Sequence, residues 1–222
     1  ESLSLENRRQ IQIKNLNPFT SIVKILKPSP ILGLIWIYFL LFLAGQVHPV
    51  NWTLYTQTKF GWSAFEVGLS LTFVGVMIGI SQGVLTRILI PRLGEQRSLT
   101  IGIAIEAITF LLFGLVTSGW MMYPVMLFFS LSGIAMPALQ SMAAKHVPDN
   151  EQGELQGSLV ALGSLSSVIA PFIFTFLFVQ FTRPDAQVYF PGAAYVGAAV
   201  ICLFTLAFRI PRNGKTKSEP AG

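Results

Sequence analysis

The sequence predicts an all-α membrane protein built as a bundle of six transmembrane helices. Three observations carry that reading. Of 222 residues, 52% are hydrophobic and only 11% charged, against about 25% charged in a soluble domain. The apolar residues gather into six runs, each close to the roughly 20 residues that one bilayer crossing needs. The basic residues fall almost wholly in loops on one side of those crossings.

The runs span about residues 31–52, 65–90, 98–117, 120–143, 155–180 and 190–208. Together they define a membrane unit over residues 31–208. A polar, basic segment 1–30 precedes it and a short tail 209–222 follows. Arg8, Arg9, Lys14, Lys24 and Lys27 precede the first run; Arg87, Arg92 and Arg97 surround the second loop. Lys145 follows the fourth run, and Arg209, Arg212, Lys215 and Lys217 follow the sixth. Only Lys59 and Arg183 lie on the opposite side. Positive loops stay in the cytoplasm, so both ends of the chain are expected there. The chain opens at Glu1 without the short basic stretch and apolar core of a signal peptide. It is expected to be a fragment, or one half of something larger.

Local signals agree with the runs. Ser63 and Glu66 have capping-box spacing at the outer start of the second span. Asp149 and Gln152 are placed to cap the fifth, and Pro191 suits the first turn of the sixth. Gly75, Gly79 and Gly83 share one helix face, as do Gly157, Ala161 and Ser164; small residues four apart let another helix approach closely. Gly133 and Pro137 in the fourth span and Pro171 in the fifth mark bends. Such bends accord either with ordinary membrane-helix composition or with a nearby substrate path.

Glu106 is the one ionisable side chain in the run 98–117. A carboxylate at bilayer depth costs at least about 2.5–3.5 kcal/mol on insertion scales, so it is usually retained for function. The other polar residues within spans are few: Gln46 and His48, Gln82, Gln140, Gln156 and several serines. A membrane glutamine is either an interhelical hydrogen-bonder or a ligand contact. Counted from the cytoplasmic ends, Gln82 and Glu106 lie at about the same depth, ~10–12 Å. Gln82 is therefore expected to donate to Glu106. His48, beside Pro49, is expected at the outer membrane edge and away from Glu106. The single cysteine, Cys202, excludes an internal disulfide and reads as packing. Asn51, Trp52 and Thr53 spell a glycosylation sequon, read as chance. No interleaved basic and aromatic pattern points to nucleic acid. An intramembrane enzyme needs paired catalytic groups at one depth. Glu106 has no neighbouring His, Asp or second Glu in the spans, and no His-Glu-x-x-His occurs, so the chain is read as no enzyme.

Several segments resemble the C-terminal half of the bacterial tetracycline/proton antiporters of the major facilitator superfamily. They are Gly45, Gln46 and Val47 with Trp52; Phe60, Gly61 and Trp62 followed by Val67, Gly68 and Leu69; and the basic loop from Arg92 through Gly94 to Arg97. The longest stretches run from Gly133 through Met136 and Pro137 to Gln140, and from Gln152 through Gly153, Leu155 and Gln156 to Leu159. The resemblance covers most of residues 45–171. It implies the second six-helix bundle of a two-bundle fold, with segment 1–30 as the cytoplasmic linker between the halves. It further implies a proton-coupled exporter of a tetracycline-like or multidrug substrate, working by alternating access in the cell inner (cytoplasmic) membrane. Partners would be the N-terminal six-helix half, a small molecule, protons and membrane lipids. No cofactor is expected, with the substrate arriving as a magnesium chelate.

Glu106 falls where this family carries a required acid on its ninth helix and is the candidate proton-coupling residue. Gln46, Gln82, Met136, Pro137, Gln140 and Ser164 are the candidate substrate contacts. Arg92, Gly94 and Arg97 are the candidate gating residues. The family's exporters often carry a membrane histidine on the eighth helix, where this chain has Ile78; Pro91 replaces an acid before Arg92. A transporter of another metabolite, or a non-transporting sensor or scaffold with the same fold, are the alternatives.

Overall fold

The computed structural model describes residues 31–209. Segment 1–30, the tail beyond Arg209 and the basic residues they hold lie outside the described residues. The described chain is helical, with no strand. In order, it forms α1 (Leu32–Phe60), α2 (Ala64–Leu93), α3 (Glu95–Leu115), α4 (Gly119–Ala144) and α5 (Asp149–Gln180), then α6 (Ala193–Arg209). The first five are long and apolar enough to cross a membrane, and α6 is a shorter apolar helix.

The largest departure from expectation is the end of α1, which runs to Phe60 rather than residue 52. The stretch after Trp52 is polar, yet its polar groups turn inward. Positions 51, 55 and 59 lie one turn apart on one helix face. Asn51 Nδ2 donates to the carbonyl of Phe174 on α5 at 2.9 Å. Tyr55 Oη donates to the carbonyl of Phe113 on α3. Lys59 Nζ donates to Gly114 O at 2.9 Å and to Tyr55 Oη at 3.0 Å. Phe113 and Gly114 sit in the last turn of α3, whose carbonyls lack intrahelical donors, so α1 caps the helix beside it. Gly61, at φ +67°, closes α1 in a left-handed conformation that glycine adopts without strain. Buried and hydrogen-bonded, Asn51 is no glycosylation acceptor in this fold.

The capping box at the start of α2 forms as expected. Ser63 N–H donates to Glu66 Oε2 at 2.8 Å, and Glu66 N–H donates to Ser63 Oγ at 3.3 Å. The expected cap on α5 does not form. Gln152 instead donates from Nε2 to the carbonyls of Ala144 (2.8 Å) and Val147 (2.9 Å), closing the end of α4. Pro191 lies in the turn before α6, two residues short of its start.

Two helices are interrupted, and the interruptions meet. α2 widens into a π-turn over Ser81–Leu85, and α4 tightens into a 3₁₀ turn over Leu131–Ile134. Ser81 Oγ donates to the Ser130 carbonyl at 2.5 Å. A Cβ at Gly133 would lie 3.0 Å from that same oxygen, so glycine makes room for the hydroxyl. Pro137 falls in the first turn of the following segment, Ala135–Ala144, where its missing N–H is tolerated. α5 stays helical through Pro171.

The interior is built around α3, which packs most extensively on α6 and also on α4. A Cβ at Gly102 would meet the Cβ of Ala135 at 2.7 Å. α2 and α5 are the least enclosed of the long helices. No atom from another element approaches within 4 Å of a Cβ position at Gly75, Gly79, Gly83 or Gly157. The close approach expected at those glycine faces is therefore not made within this bundle.

Three outcomes test the fold in the full-length protein. Gly102→Val forces Ala135 away and should destabilise by about 1–3 kcal/mol or more, seen as a lower melting temperature in detergent. Gly68→Ala, where nothing stands within 4 Å, should be neutral or mildly stabilising. Lys59→Met strips the donor from the Gly114 carbonyl and should cost about 1–2 kcal/mol in the same assay, with Lys59→Arg recovering part of it.

Candidate functional site

α3 starts at Glu95, so Glu106 lies about three turns, ~16 Å, into the helix, deeper than the sequence reading placed it. Its side chain is half-buried. One turn before it, Gly102 abuts Ala135 of α4. One turn after it, the Phe110 ring packs 5.4 Å from the His48 ring. Cys202 of α6, fully buried, lies within electrostatic reach. No hydrogen bond or ion pair reaches the Glu106 carboxylate among the described residues.

The expected Gln82–Glu106 hydrogen bond is absent. α2 ends at Leu93, so Gln82, like Glu106, is about three turns from that end of its helix. The lateral placement does not. The π-turn of α2 packs against the 3₁₀ turn of α4 rather than against α3. Ser81 faces inward, and Gln82 beside it is exposed, its backbone carbonyl accepting from Thr86 Oγ1.

His48 corrects the sequence reading most. With α1 continuing to Phe60, His48 sits near the helix midpoint rather than at the membrane edge. Five aromatic rings surround it, with centroids 4.8 Å away for Phe129, 5.2 Å for Phe113, 5.4 Å for Phe110, 5.5 Å for Tyr195 and 5.6 Å for Trp52. They come from α1, α3, α4 and the start of α6. His48 Nε2 is sealed from solvent without a hydrogen-bond partner. The ring forms part of the wall of a cavity of about 320 Å³, lined also by Pro49, Trp52, Thr53, Val74, Ile78, Phe113 and Phe129. Ile78, which stands where the tetracycline antiporters often carry histidine, thus shares this cavity with His48. The missed signal was the polar spacing at 51, 55 and 59, which extends the helix past His48.

The other candidate contacts scatter. Gln140 is half-buried and hydrogen-bonded to the Tyr38 hydroxyl of α1. Gln46 lies at a bend in α1, where its N–H is shared between the carbonyls of Phe42 and Leu43, both at 3.2 Å. Met136 packs on the core and Pro137 is half-buried beside it. Ser164 is exposed on α5 and donates back to Val160 O at 3.0 Å. None of these residues, nor Glu106, lines the cavity.

The expectation that the chain holds no Gly-x-Ser-x-Gly is corrected: Gly79, Ser81 and Gly83 spell that pattern of a serine nucleophile elbow. That motif needs a strand-to-helix turn and a nearby base. Here it lies inside a membrane-length helix, and Ser81 Oγ is committed to the Ser130 carbonyl.

At the loop between α2 and α3, Gly94 takes φ +79°, which favours glycine. Arg92 and Arg97 are exposed. The ion pair here is Glu95–Lys145 at 2.7 Å, reinforced by Ser141 Oγ donating to Glu95. This ties the start of α3 to the end of α4 through residues that the sequence reading had not singled out together.

Comparison with known proteins places this geometry. Residues 15–222 match the Major Facilitator Superfamily. The chain is 35% identical over 198 residues to the class C tetracycline resistance protein of Escherichia coli, covering 88% of this chain and 49% of that protein. It is 37% identical over 185 residues to the class D protein of Salmonella ordonez, covering 82% and 46%. It thus spans about half the length of these curated relatives. The crystal structure of the human organic anion transporter MFSD10 (TETRAN) superposes with a TM-score of 0.72 at 20% identity, over 93% of this chain and 51% of that one. Membrane-length helices, the shared fold and a match over nearly the whole chain lead to one conclusion: this multi-pass membrane chain belongs to the Major Facilitator Superfamily.

Proposed function

We propose that this chain is the C-terminal half of a proton-coupled exporter of a drug-like small molecule, working by alternating access in the cytoplasmic membrane with both ends inside the cell. The observation that carries the reading is Glu106, an acid deep in α3 whose carboxylate has no hydrogen-bond or ion-pair partner among the described residues. A structural role would be filled more cheaply by a neutral residue. A carboxylate that takes a proton in one state and gives it up when cargo binds performs antiport with a single group. A cationic cargo, or one carried as a magnesium chelate, competes with the proton by charge.

The open glycine faces of α2 and α5 suit docking of the N-terminal six-helix half. Gln46, Gln82, Gln140 and Ser164, spread over four helices, then become lining of the path between halves rather than one preformed pocket. Met136 and Pro137 shape the bend beside them. Arg92, Gly94 and Arg97 form the exposed cytoplasmic edge that changes partners as the halves rock, with Glu95–Lys145 holding α3 to α4 within this half.

Everted membrane vesicles containing the full-length protein test the assignment. With tetracycline as cargo, the wild type should accumulate drug when a pH gradient is imposed. Glu106→Gln should fall to the level of empty vesicles while remaining in the membrane at normal abundance. Undiminished gradient-driven accumulation by Glu106→Gln would overturn the role given to this residue.

A further inference from the structure

We propose that His48 is the specificity-determining residue of the cavity beside α1, and that the cavity takes a flat, apolar ring compound through one hydroxyl or carbonyl bonded to the His48 imidazole. The proposal rests on the reading of this chain as half of a small-molecule transporter.

A histidine that only fills core space normally has its ring nitrogens hydrogen-bonded. Here Nε2 is sealed with no partner, and the ring is held by packing among five aromatic rings. Phenylalanine would fill that place without leaving a polar atom unpaired. The retained imidazole borders a cavity of about 320 Å³, at the lower end of the ~300–1,000 Å³ typical of small-molecule sites. Its other walls are largely apolar: Val74, Ile78, Phe113, Met126 and Phe129. The one indole in the wall, Trp52, has its N–H committed to Ser70 Oγ at 3.0 Å. Thr53 at the rim is exposed. With Nε2 sealed, the polar contact the imidazole offers the cavity is its other ring nitrogen, Nδ1, which has no hydrogen-bond partner among the described residues. A site with one polar group in an apolar wall discriminates by whether the ligand supplies its partner, because a ligand lacking it leaves the group unpaired.

The test uses purified full-length protein in nanodiscs with 1-naphthol and its near-isostere 1-methylnaphthalene, each corrected for uptake by empty nanodiscs. The wild type should bind 1-naphthol about tenfold more tightly. His48→Phe should bring the two affinities together, and His48→Gln, which keeps a hydrogen-bonding group, should restore part of the preference. In ¹⁵N-histidine-labelled wild type, the His48 ring resonance, assigned with the His48→Gln protein, should move with 1-naphthol and stay with 1-methylnaphthalene. This spectral readout is made on the wild-type protein, with His48→Gln needed for assignment alone. An equal preference in wild type and His48→Phe, or a His48 resonance that 1-naphthol leaves unmoved, overturns the proposal. Transport by Glu106→Gln with the preference intact would defeat the coupling role alone; loss of the preference in wild type would defeat His48 alone.

Discussion

Away from water, a backbone carbonyl without a donor is expensive, and the second half of α1 is organised around that constraint. Tyr55 and Lys59 reach the carbonyls of Phe113 and Gly114 in the last turn of α3, and Asn51, one turn earlier, adds a bond to the Phe174 carbonyl within α5. These bonds draw α1 against both α5 and the end of α3. They keep a polar stretch helical where its composition alone suggests a loop, and so carry His48 from the membrane edge to the middle of a helix. The aromatic cage, the cavity beside it and the register between His48 and Phe110 all depend on that continuation.

Around this seam the bundle divides into a closed side and an open one. α3, α4 and α6 meet through residues with no room to spare: a Cβ at Gly192, just before α6, would collide with Gly114 O of α3, and one at Gly102 would lie 2.7 Å from the Ala135 Cβ of α4. Interiors packed this closely shift as units rather than deform. α2 and α5, by contrast, show small-residue faces that nothing in this half covers. Between the two sides, the π-turn of α2 and the 3₁₀ turn of α4 face one another across the Ser81–Ser130 hydrogen bond. Irregular turns inside helices leave backbone groups with fewer regular partners, and paired irregularities are where a bundle can flex without breaking its ladders. Glu106 lies on the closed side and His48 at the cavity, one turn of α3 apart through Phe110. That arrangement separates a proton-carrying group from a cargo-recognising one.

The number, order and type of the helices were legible because a run of about twenty apolar residues is a strong signal. The capping box at Ser63 and Glu66 was legible because its spacing encodes its geometry. What failed had a common cause: depth along a helix can be counted from sequence, but direction around it cannot. Gln82 and Glu106 are equally far along their helices from the α2–α3 loop, yet the π-turn that holds Gln82 packs on the 3₁₀ turn of α4. Gln152 has capping spacing but bonds backward, its amide donating to the carbonyls of Ala144 and Val147 at the end of α4. His48 was misplaced because the first run was ended at residue 52, and the polar spacing at 51, 55 and 59 was not recognised as one inward-facing stripe.

The account turns on one carboxylate exchanging a proton for cargo, and proton release on binding measures that directly. Purified full-length protein in weakly buffered solution, with a pH indicator, is titrated with tetracycline at a pH where the wild type binds its proton. The account predicts a release of up to one proton per bound drug in the wild type and none from Glu106→Gln at equal drug occupancy. An unchanged release from Glu106→Gln would contradict it.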